Sequence, residues 1–364
     1  MPLINLFEYE ERAAEILNEA RLGYYSSGAR DQISLRNNRD AWETIHLLPH
    51  ILVDVANRTT KTKILDTPIS MPLIVSPTAM HKLAHPEGEV ATARAVGKAG
   101  TIMILSTLST VPVEEVAAAA TGPIWFQLYI YKNSKDTERL ITRATEAGCS
   151  AIVITVDAPV WDVREADSRN HFSLPEGMRL ANLTGDMSSV AAQDSPASGL
   201  GANLNKYLSC SNTWDTIRDV QKMTDLPILL KGVLRTDDAC RAAELGIKGI
   251  VISNHGGRQL DTAAPTMTRI APIVEAVGDQ VEVLVDGGVR RGTDVIKAIA
   301  LGAKSVMVGR PILWGLTVDG SDGISHVLAL LHEEIDTAMA LCGCPSVDDI
   351  KADLLQLPHD FSGR

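Results

Sequence analysis

Short apolar runs recur along the chain at near-even intervals: PLIVSP (72–77), TIMILS (101–106), PIWFQLYI (123–130) and AIVITVD (151–157). Four more follow, PILLKG (227–232), GIVISNH (249–255), VEVLVDGG (281–288) and SVMVGR (305–310). They are continuously apolar rather than alternating, the mark of strands covered on both faces in a parallel sheet. The segments between them, such as GEVATARAVGKAG, DTERLITRATEAG, TDDACRAAELG and GTDVIKAIALGA, read as helices with glycine at or beside the end, the usual C-terminal stop. Eight strand–helix units in series predict an α/β fold, a (β/α)8 TIM barrel. A doubly wound sheet is the rival, and the count and steady spacing favour closure. Ahead of the barrel, the first twenty residues predict an amphipathic helix with Leu6, Ala13, Ile16 and Leu17 on its apolar face.

One interval is too long. About seventy residues separate Asp157 from Pro227, and their middle, TGDMSSVAAQDSPASGLGAN (184–203), is rich in Ser, Ala, Gly and Asp without periodicity. Such an insertion in a compact domain reads as a lid. Following strand four, it falls on the face where barrels carry their active sites. The organisation expected is one domain over 1–364 with a lid insertion at about 176–206.

Composition removes several function classes. The formal net charge is −11 over 364 residues, and no block of Lys and Arg stands out, so nucleic acid and anionic membrane are poor partners. Five scattered cysteines do not form a disulfide framework. The close pair Cys342 and Cys344 reads as two buried thiols. The acidic start MPLINLFEYEERAAEILNEA lacks the basic and apolar regions of a signal peptide. No stretch approaches the roughly 20 apolar residues of a membrane span. A soluble, cytoplasmic protein is expected.

The chemistry gathers at the strand ends, which offer Thr78, Ser106, Gln127 with Tyr129, Thr155 with Asp157, Lys231, Ser253 with His255, Asp286, and Gly309 with Arg310. VDGGVRRG and VGRP put glycines and arginines after strands seven and eight, the usual phosphate position of such barrels, and together they point to a phosphate-bearing ligand. SNHGGRQLD (253–261) ends strand six with a potential base, His255, and a cation, Arg258. Arg258 can offer a two-pronged donor to a carboxylate. Gly256 and Gly257, between them, are expected to let the backbone approach a flat ligand. Lys231 is costly to bury without an anionic partner. Asp157, expected on the opposite side of the barrel mouth, can orient and charge-stabilise an imidazolium.

SNHGGRQLD is similar to the active-site signature of the FMN-dependent α-hydroxy acid oxidases and dehydrogenases, the family of glycolate oxidase and L-lactate oxidase. The resemblance extends over YYSSGARDQISLRNNRDAW, PTAM, HPEGE, WFQLYIYK, TVDAP, READSRN, LKG, DGGVRRGTD, GRP and MALCGC, nearly the whole chain. It implies FMN as cofactor. Pro77, Thr78, Ala79, Ser106, Gln127, Thr155, Lys231 and Ser253 match positions that hold the flavin ring and ribityl chain. Asp286, Gly287, Gly288, Val289, Arg290, Gly309 and Arg310 match those for the ribityl hydroxyls and phosphate. It further implies that Tyr24, Arg164 and Arg258 receive the substrate carboxylate and that Tyr129 binds the α-oxygen. His255 would be the base, supported by Asp157, and Lys231 would stabilise the anionic reduced flavin. The partners implied are a small 2-hydroxy acid and O2, and the assembly a homotetramer or octamer.

Within the family, Leu108 in STLST stands where plant glycolate oxidase has a tryptophan, and in this the chain resembles bacterial lactate oxidases. Leu108 leaves room beside the α-carbon for a methyl group. Trp161 and Asp162 are also unusual and are expected to narrow the pocket or pack the lid. An (S)-2-hydroxy-acid oxidase acting on L-lactate, with glycolate second, is the expectation. The rivals are a 2-hydroxy-acid dehydrogenase with a non-oxygen acceptor, a Schiff-base aldolase or isomerase using Lys231, and a non-catalytic FMN carrier.

Overall fold

The computed structural model describes residues 2–183 and 205–358. Eight parallel strands close into a barrel in chain order, each hydrogen-bonded to its sequence neighbours and the last to the first. They are β1 (Leu73–Val75), β2 (Met103–Ser106), β3 (Ile124–Leu128), β4 (Ile152–Thr155), β5 (Ile228–Val233), β6 (Gly249–Ile252), β7 (Glu282–Asp286) and β8 (Ser305–Val308). All eight expected strands form, seven of them shorter than their apolar runs.

Alternation along the strands explains the interior. Successive side chains point to opposite faces. One residue from each strand enters the barrel to build a closed apolar layer: Ile74, Ile104, Trp125, Val153, Leu229, Val251, Leu284 and Met307. Ile64 and Ile69, from an antiparallel hairpin, join its floor. The intervening side chains face the helices in a second, larger core. Two residues beyond each inward apolar position stand Ser76, Ser106, Gln127, Thr155, Lys231, Ser253, Asp286 and Gly309. One layer higher the chain places Thr78, Leu108, Tyr129, Asp157 and His255. The barrel thus changes from apolar floor to polar mouth within one period of the strand.

Three helices precede the barrel, α1 (Leu6–Ile16), α2 (Glu19–Ser26) and α3 (Ile33–Glu43). Asn5 caps α1 by accepting from the N–H groups of Phe7 and Glu8. The apolar face of α1 differs from the expected one in a single position: Leu6, Ala13 and Leu17 are buried, but Ile16 is 46% exposed and Tyr9 takes the inner place. Four-residue spacing from Tyr9 through Ala13 to Leu17 sets that face. After β4 comes the short helix α4 (Glu165–Arg169), and the outer helix of that unit, α5 (Trp214–Gln221), follows far downstream. The lid expected at about 176–206 falls largely on 184–204, outside the described residues.

The last strand leads into α6 (Arg310–Cys342), which is kinked at Asp319 and Gly320. Its first segment is the short extra helix that barrels use at phosphate sites. Cys342 and Cys344 are buried free thiols, as expected. Among the described residues no helix is long and apolar enough to cross a membrane.

Candidate active site

A cavity opens at the C-terminal end of the barrel. Of the residues expected in the site, Tyr24, Pro77, Thr78, Ala79, Ser106, Leu108, Gln127, Tyr129, Thr155, Arg164, Lys231, His255, Arg258, Asp286, Gly287, Gly288, Val289, Arg290, Gly309 and Arg310 line it. Asp157 and Ser253 stand behind the wall, each bonded to a residue that lines it. Trp161 lines the cavity as expected, whereas Asp162 points away and pairs with Arg30 at 2.8 Å.

His255 Nδ1 lies 3.0 Å from Asp157 Oδ1, leaving Nε2 for the cavity. Asp157 is not on the opposite side of the mouth: β4 and β6 are separated by β5 alone. The carboxylate crosses β5 at Gly232, where a side chain would stand 2.4 Å from Asp157 Cβ. Gly232 was missed as a functional position, although a glycine inside a strand signals close approach of another group. Burial acts to raise the Asp157 carboxyl, but the Lys231 charge and the hydrogen bond from His255 prevail and hold it low. Burial together with Lys231 and Arg164 keeps His255 below the ordinary imidazole value despite Asp157. The ring is therefore a neutral base with an ionised orienting partner. His255 also has a φ of 60°, a left-handed conformation uncommon outside glycine and frequent at functional sites.

Gly256, which lines the cavity, and Gly257 also serve packing within the protein. Both have positive φ, and the space a Cβ would need is taken by the Arg310 guanidinium at Gly256 and by the Leu35 backbone at Gly257. Close packing of Arg310 and α3 is what requires them. In the same way Gly288 yields to the Asn38 carbonyl of α3, 2.0 Å from where its Cβ would be.

Lys231 finds the anionic partner its burial demands. Its ammonium donates to Ser253 Oγ at 3.0 Å and sits 3.5 Å from Asp286. Gln127 Nε2 donates to Thr155 Oγ1 at 2.9 Å, and its Oε1 accepts from the Thr107 N–H at 3.2 Å and from Ser106 Oγ at 3.3 Å. Ser76 and Tyr25 also line the cavity and were not anticipated. Ser76 was legible, being two residues beyond the inward Ile74. Tyr25, from the helix before the barrel, offered no such signal.

The charge balance points to an anionic ligand. Among the described residues lining the cavity, Arg164, Lys231, Arg258, Arg290 and Arg310 face one carboxylate, Asp286. Burial and the repulsion of Arg164 bring Arg258 down to about 10. Burial with Arg258 and Arg290 lowers Arg310 further below its ordinary range. The Arg310 guanidinium is held by the carbonyls of Tyr25, Ser27 and Gly256, with no acid bonded to it. Buried polar atoms without a partner cluster here too: Ser76 Oγ, Asp286 Oδ1, and Nε and Nη1 of Arg164. Such groups are costly unless a ligand meets them.

Arg290, Arg310 and the N-terminus of α6 suit a phosphate, with the polar strand-end layer suited to a hydroxylated chain and ring. Arg258, which shares the Tyr25 and Ser27 carbonyls with Arg310, stands with Arg164 beside Tyr24, their guanidinium carbons 5.3 and 5.8 Å from its ring centre. Phe172 stacks on Tyr24 from behind at 4.4 Å. These residues fit FMN beside a small carboxylate: donors and cations where phosphate and carboxylate charge would fall, unpartnered polar atoms between.

Comparison with known proteins agrees with this geometry. Residues 13–357 match the family described as FMN-dependent dehydrogenase. An L-lactate oxidase of Nostoc sp. is 50% identical over 97% of this chain and 98% of its own. A glycolate oxidase of Arabidopsis thaliana is 46% identical over the full length of both. The crystal structure of a mandelate oxidase with (S)-4-hydroxymandelic acid superposes with a TM-score of 0.93 at 41% identity, covering 97% of this chain and 98% of that one.

Proposed function

Because the chain belongs to the FMN-dependent dehydrogenase family, we propose that it is an FMN-dependent (S)-2-hydroxy-acid oxidase that converts L-lactate, and glycolate less well, to the 2-oxo acid while reducing O2 to H2O2. The observation that carries this reading is His255, bonded to Asp157 at 3.0 Å, sharing one cavity with Arg164 and Arg258. A base and a carboxylate receptor side by side suit a 2-hydroxy acid and do not suit a plain alcohol. Lys231 is engaged with Ser253 Oγ at 3.0 Å and lies 3.5 Å from Asp286 rather than presented as a free amine, which disfavours the Schiff-base alternative.

FMN, when bound, supplies a two-electron acceptor that O2 reoxidises. Pro77, Thr78, Ala79, Ser106, Gln127, Thr155, Lys231 and Ser253 would hold its ring and ribityl chain. Asp286, Gly287, Gly288, Val289, Arg290, Gly309 and Arg310 would hold the ribityl hydroxyls and the phosphate. Arg258, Arg164 and Tyr24 receive the substrate carboxylate and fix its orientation. Tyr129, whose hydroxyl is kept protonated by burial and the nearby Asp157, donates to the α-oxygen. His255 takes a proton through Nε2, and Asp157 stabilises the imidazolium that results. Lys231 supplies positive charge beside the reduced acceptor. Anaerobic mixing of the holoenzyme with L-lactate should bleach the flavin, and admitting air should restore it with formation of H2O2. A flavin left oxidised by every short 2-hydroxy acid tried would overturn the proposal.

Two expected outcomes test its parts. Arg258→Lys should lower kcat/KM for lactate at least about tenfold, roughly 1.4 kcal/mol, because an ammonium cannot reproduce the guanidinium fork. An unchanged value would remove Arg258 from carboxylate binding. Leu108, buried on the cavity wall, supports the preference for lactate, since it leaves room for a methyl group. Leu108→Trp should cut the lactate-to-glycolate ratio of kcat/KM about tenfold, the low end of what a methyl contributes in an apolar pocket. If both rates drop together at a fixed ratio, Leu108 is packing and does not select the substrate.

A cytoplasmic location and a homotetramer or octamer complete the proposal. The exposed apolar side chains of Leu48, Ile51 and Leu52 support assembly, which light scattering of the holoenzyme measures directly.

A further inference from the structure

Asp167, on α4, stands beside Arg164 of the carboxylate receptor. Its Oδ2 lies 3.8 Å from Arg164 Nη1, and its charge acts on Arg258 and Tyr24 as well. The contact is more open than the closed arginine–acid pairs of the molecule and resembles Arg290–Glu10, at 3.6 Å. Arg58–Asp336, Arg143–Glu114 and Arg291–Glu334 close to 2.5, 2.7 and 2.8 Å. Arg164–Asp167 does not close, and no hydrogen bond joins the two residues. Asp167 Oδ1 and Arg164 Nε and Nη1 are all buried without partners. Asp167 thus supplies negative charge to the receptor without consuming the donors that a ligand needs.

Charge counting gives this arrangement a function. Two guanidiniums in a buried receptor repel each other, and together they would match a dianion. With Arg310, seated on the same Tyr25 and Ser27 carbonyls as Arg258, assigned to the cofactor phosphate, one fixed carboxylate brings the Arg164–Arg258 pair to a single net positive charge. Charges a few Å apart in a buried site interact strongly enough to alter anion affinity. We propose that Asp167 is a specificity-determining residue, a resident counter-ion that tunes the Arg164–Arg258 receptor to one carboxylate, so that monocarboxylate 2-hydroxy acids are favoured over dicarboxylate ones and the anionic product is not held too tightly. The proposal rests on the oxidase reading above. The same helix position also helps set the receptor's shape, because the Asp167 carbonyl accepts from the N–H of Phe172, the ring stacked on Tyr24. Side-chain substitution leaves that backbone bond in place.

The test measures binding of pyruvate (monoanion) and oxalate (dianion) to oxidised holoenzyme through perturbation of the flavin spectrum. Asp167→Asn should bind pyruvate several-fold more tightly and oxalate at least about tenfold more tightly, and KM for lactate should fall without a rise in kcat. Asp167→Ala should move in the same direction, and Asp167→Glu, which keeps the charge, should stay near wild type. A purely supporting role for Asp167 predicts the reverse sign, because a misaimed Arg164 weakens both anions. Weaker or unchanged binding in Asp167→Asn, equal gains for the two anions, or an Asp167→Glu that behaves like the neutral variants would each overturn the proposal. A wild-type flavin that lactate does not bleach and pyruvate does not perturb would instead count against the oxidase reading itself.

Discussion

His255→Gln should retain FMN and lose anaerobic flavin reduction by L-lactate by at least about 10²–10⁴-fold, the usual contribution of a general base. The residues proposed to hold the cofactor are untouched, and glutamine occupies similar space without taking up a proton. Near-normal reduction would falsify the assignment of His255 as the base. The wild type offers a second check through pH. Neutral His255 is the active form, and its folded-state value lies below the ordinary imidazole range because burial, Lys231 and Arg164 disfavour the cation. The acid limb of kcat/KM should accordingly fall below pH ~6.5, with activity lost only as pH drops through that depressed value. An acid limb clearly above it would mean that substrate or Asp157 raises the base, contrary to the balance described.

Gly232→Ala should be nearly as damaging, although the residue touches no ligand in the proposed mechanism. Its φ is 110°, and an added Cβ would meet Asp157 Cβ at 2.4 Å and Cγ at 2.5 Å. Asp157 cannot then hold His255 Nδ1. Loss of an orienting partner of this kind costs about 10–100-fold, and we expect kcat/KM to fall toward the upper end. Backbone strain of about 1–3 kcal/mol should lower the thermal midpoint as well. Asp157→Asn separates the two effects, since it weakens the support of the imidazolium without straining β5. If Asp157→Asn keeps full activity, the His255–Asp157 contact is dispensable and any loss in Gly232→Ala is strain alone.

Much of the protein was readable in one dimension. Continuous apolar runs identify strands buried on both sides, and glycine-ended helical segments between them leave few ways to fold other than a barrel. Barrel closure then implies that residues two and four positions past each inward apolar side chain meet at one mouth. That is why Gln127, Lys231, Asp286, Tyr129 and His255 could be named together from the strand ends. The same alternation would have revealed Ser76, had it been applied from Ile74 rather than from the polar residues that stood out.

The remainder depends on distances between segments far apart in the chain. Asp157 reaches His255 only because β5 lies between their strands and carries Gly232 where a side chain would block the path. Gly256 and Gly288 line the cavity as their motifs suggest, but only the fold shows that the missing side chains of Gly256, Gly257 and Gly288 also make room for Arg310 and for α3, an element more than two hundred residues earlier. Asp167 sits one helical turn from Arg164 and reads as an ordinary surface pair. In the fold it stands 3.8 Å from a buried guanidinium with neither group hydrogen-bonded to the other. Local patterning governs which face of a strand or helix is apolar, because that follows from the period of the backbone alone. Which charges share a buried volume, and which glycines yield space to which neighbour, was decided only when closure of the barrel brought distant segments within a few Å of each other.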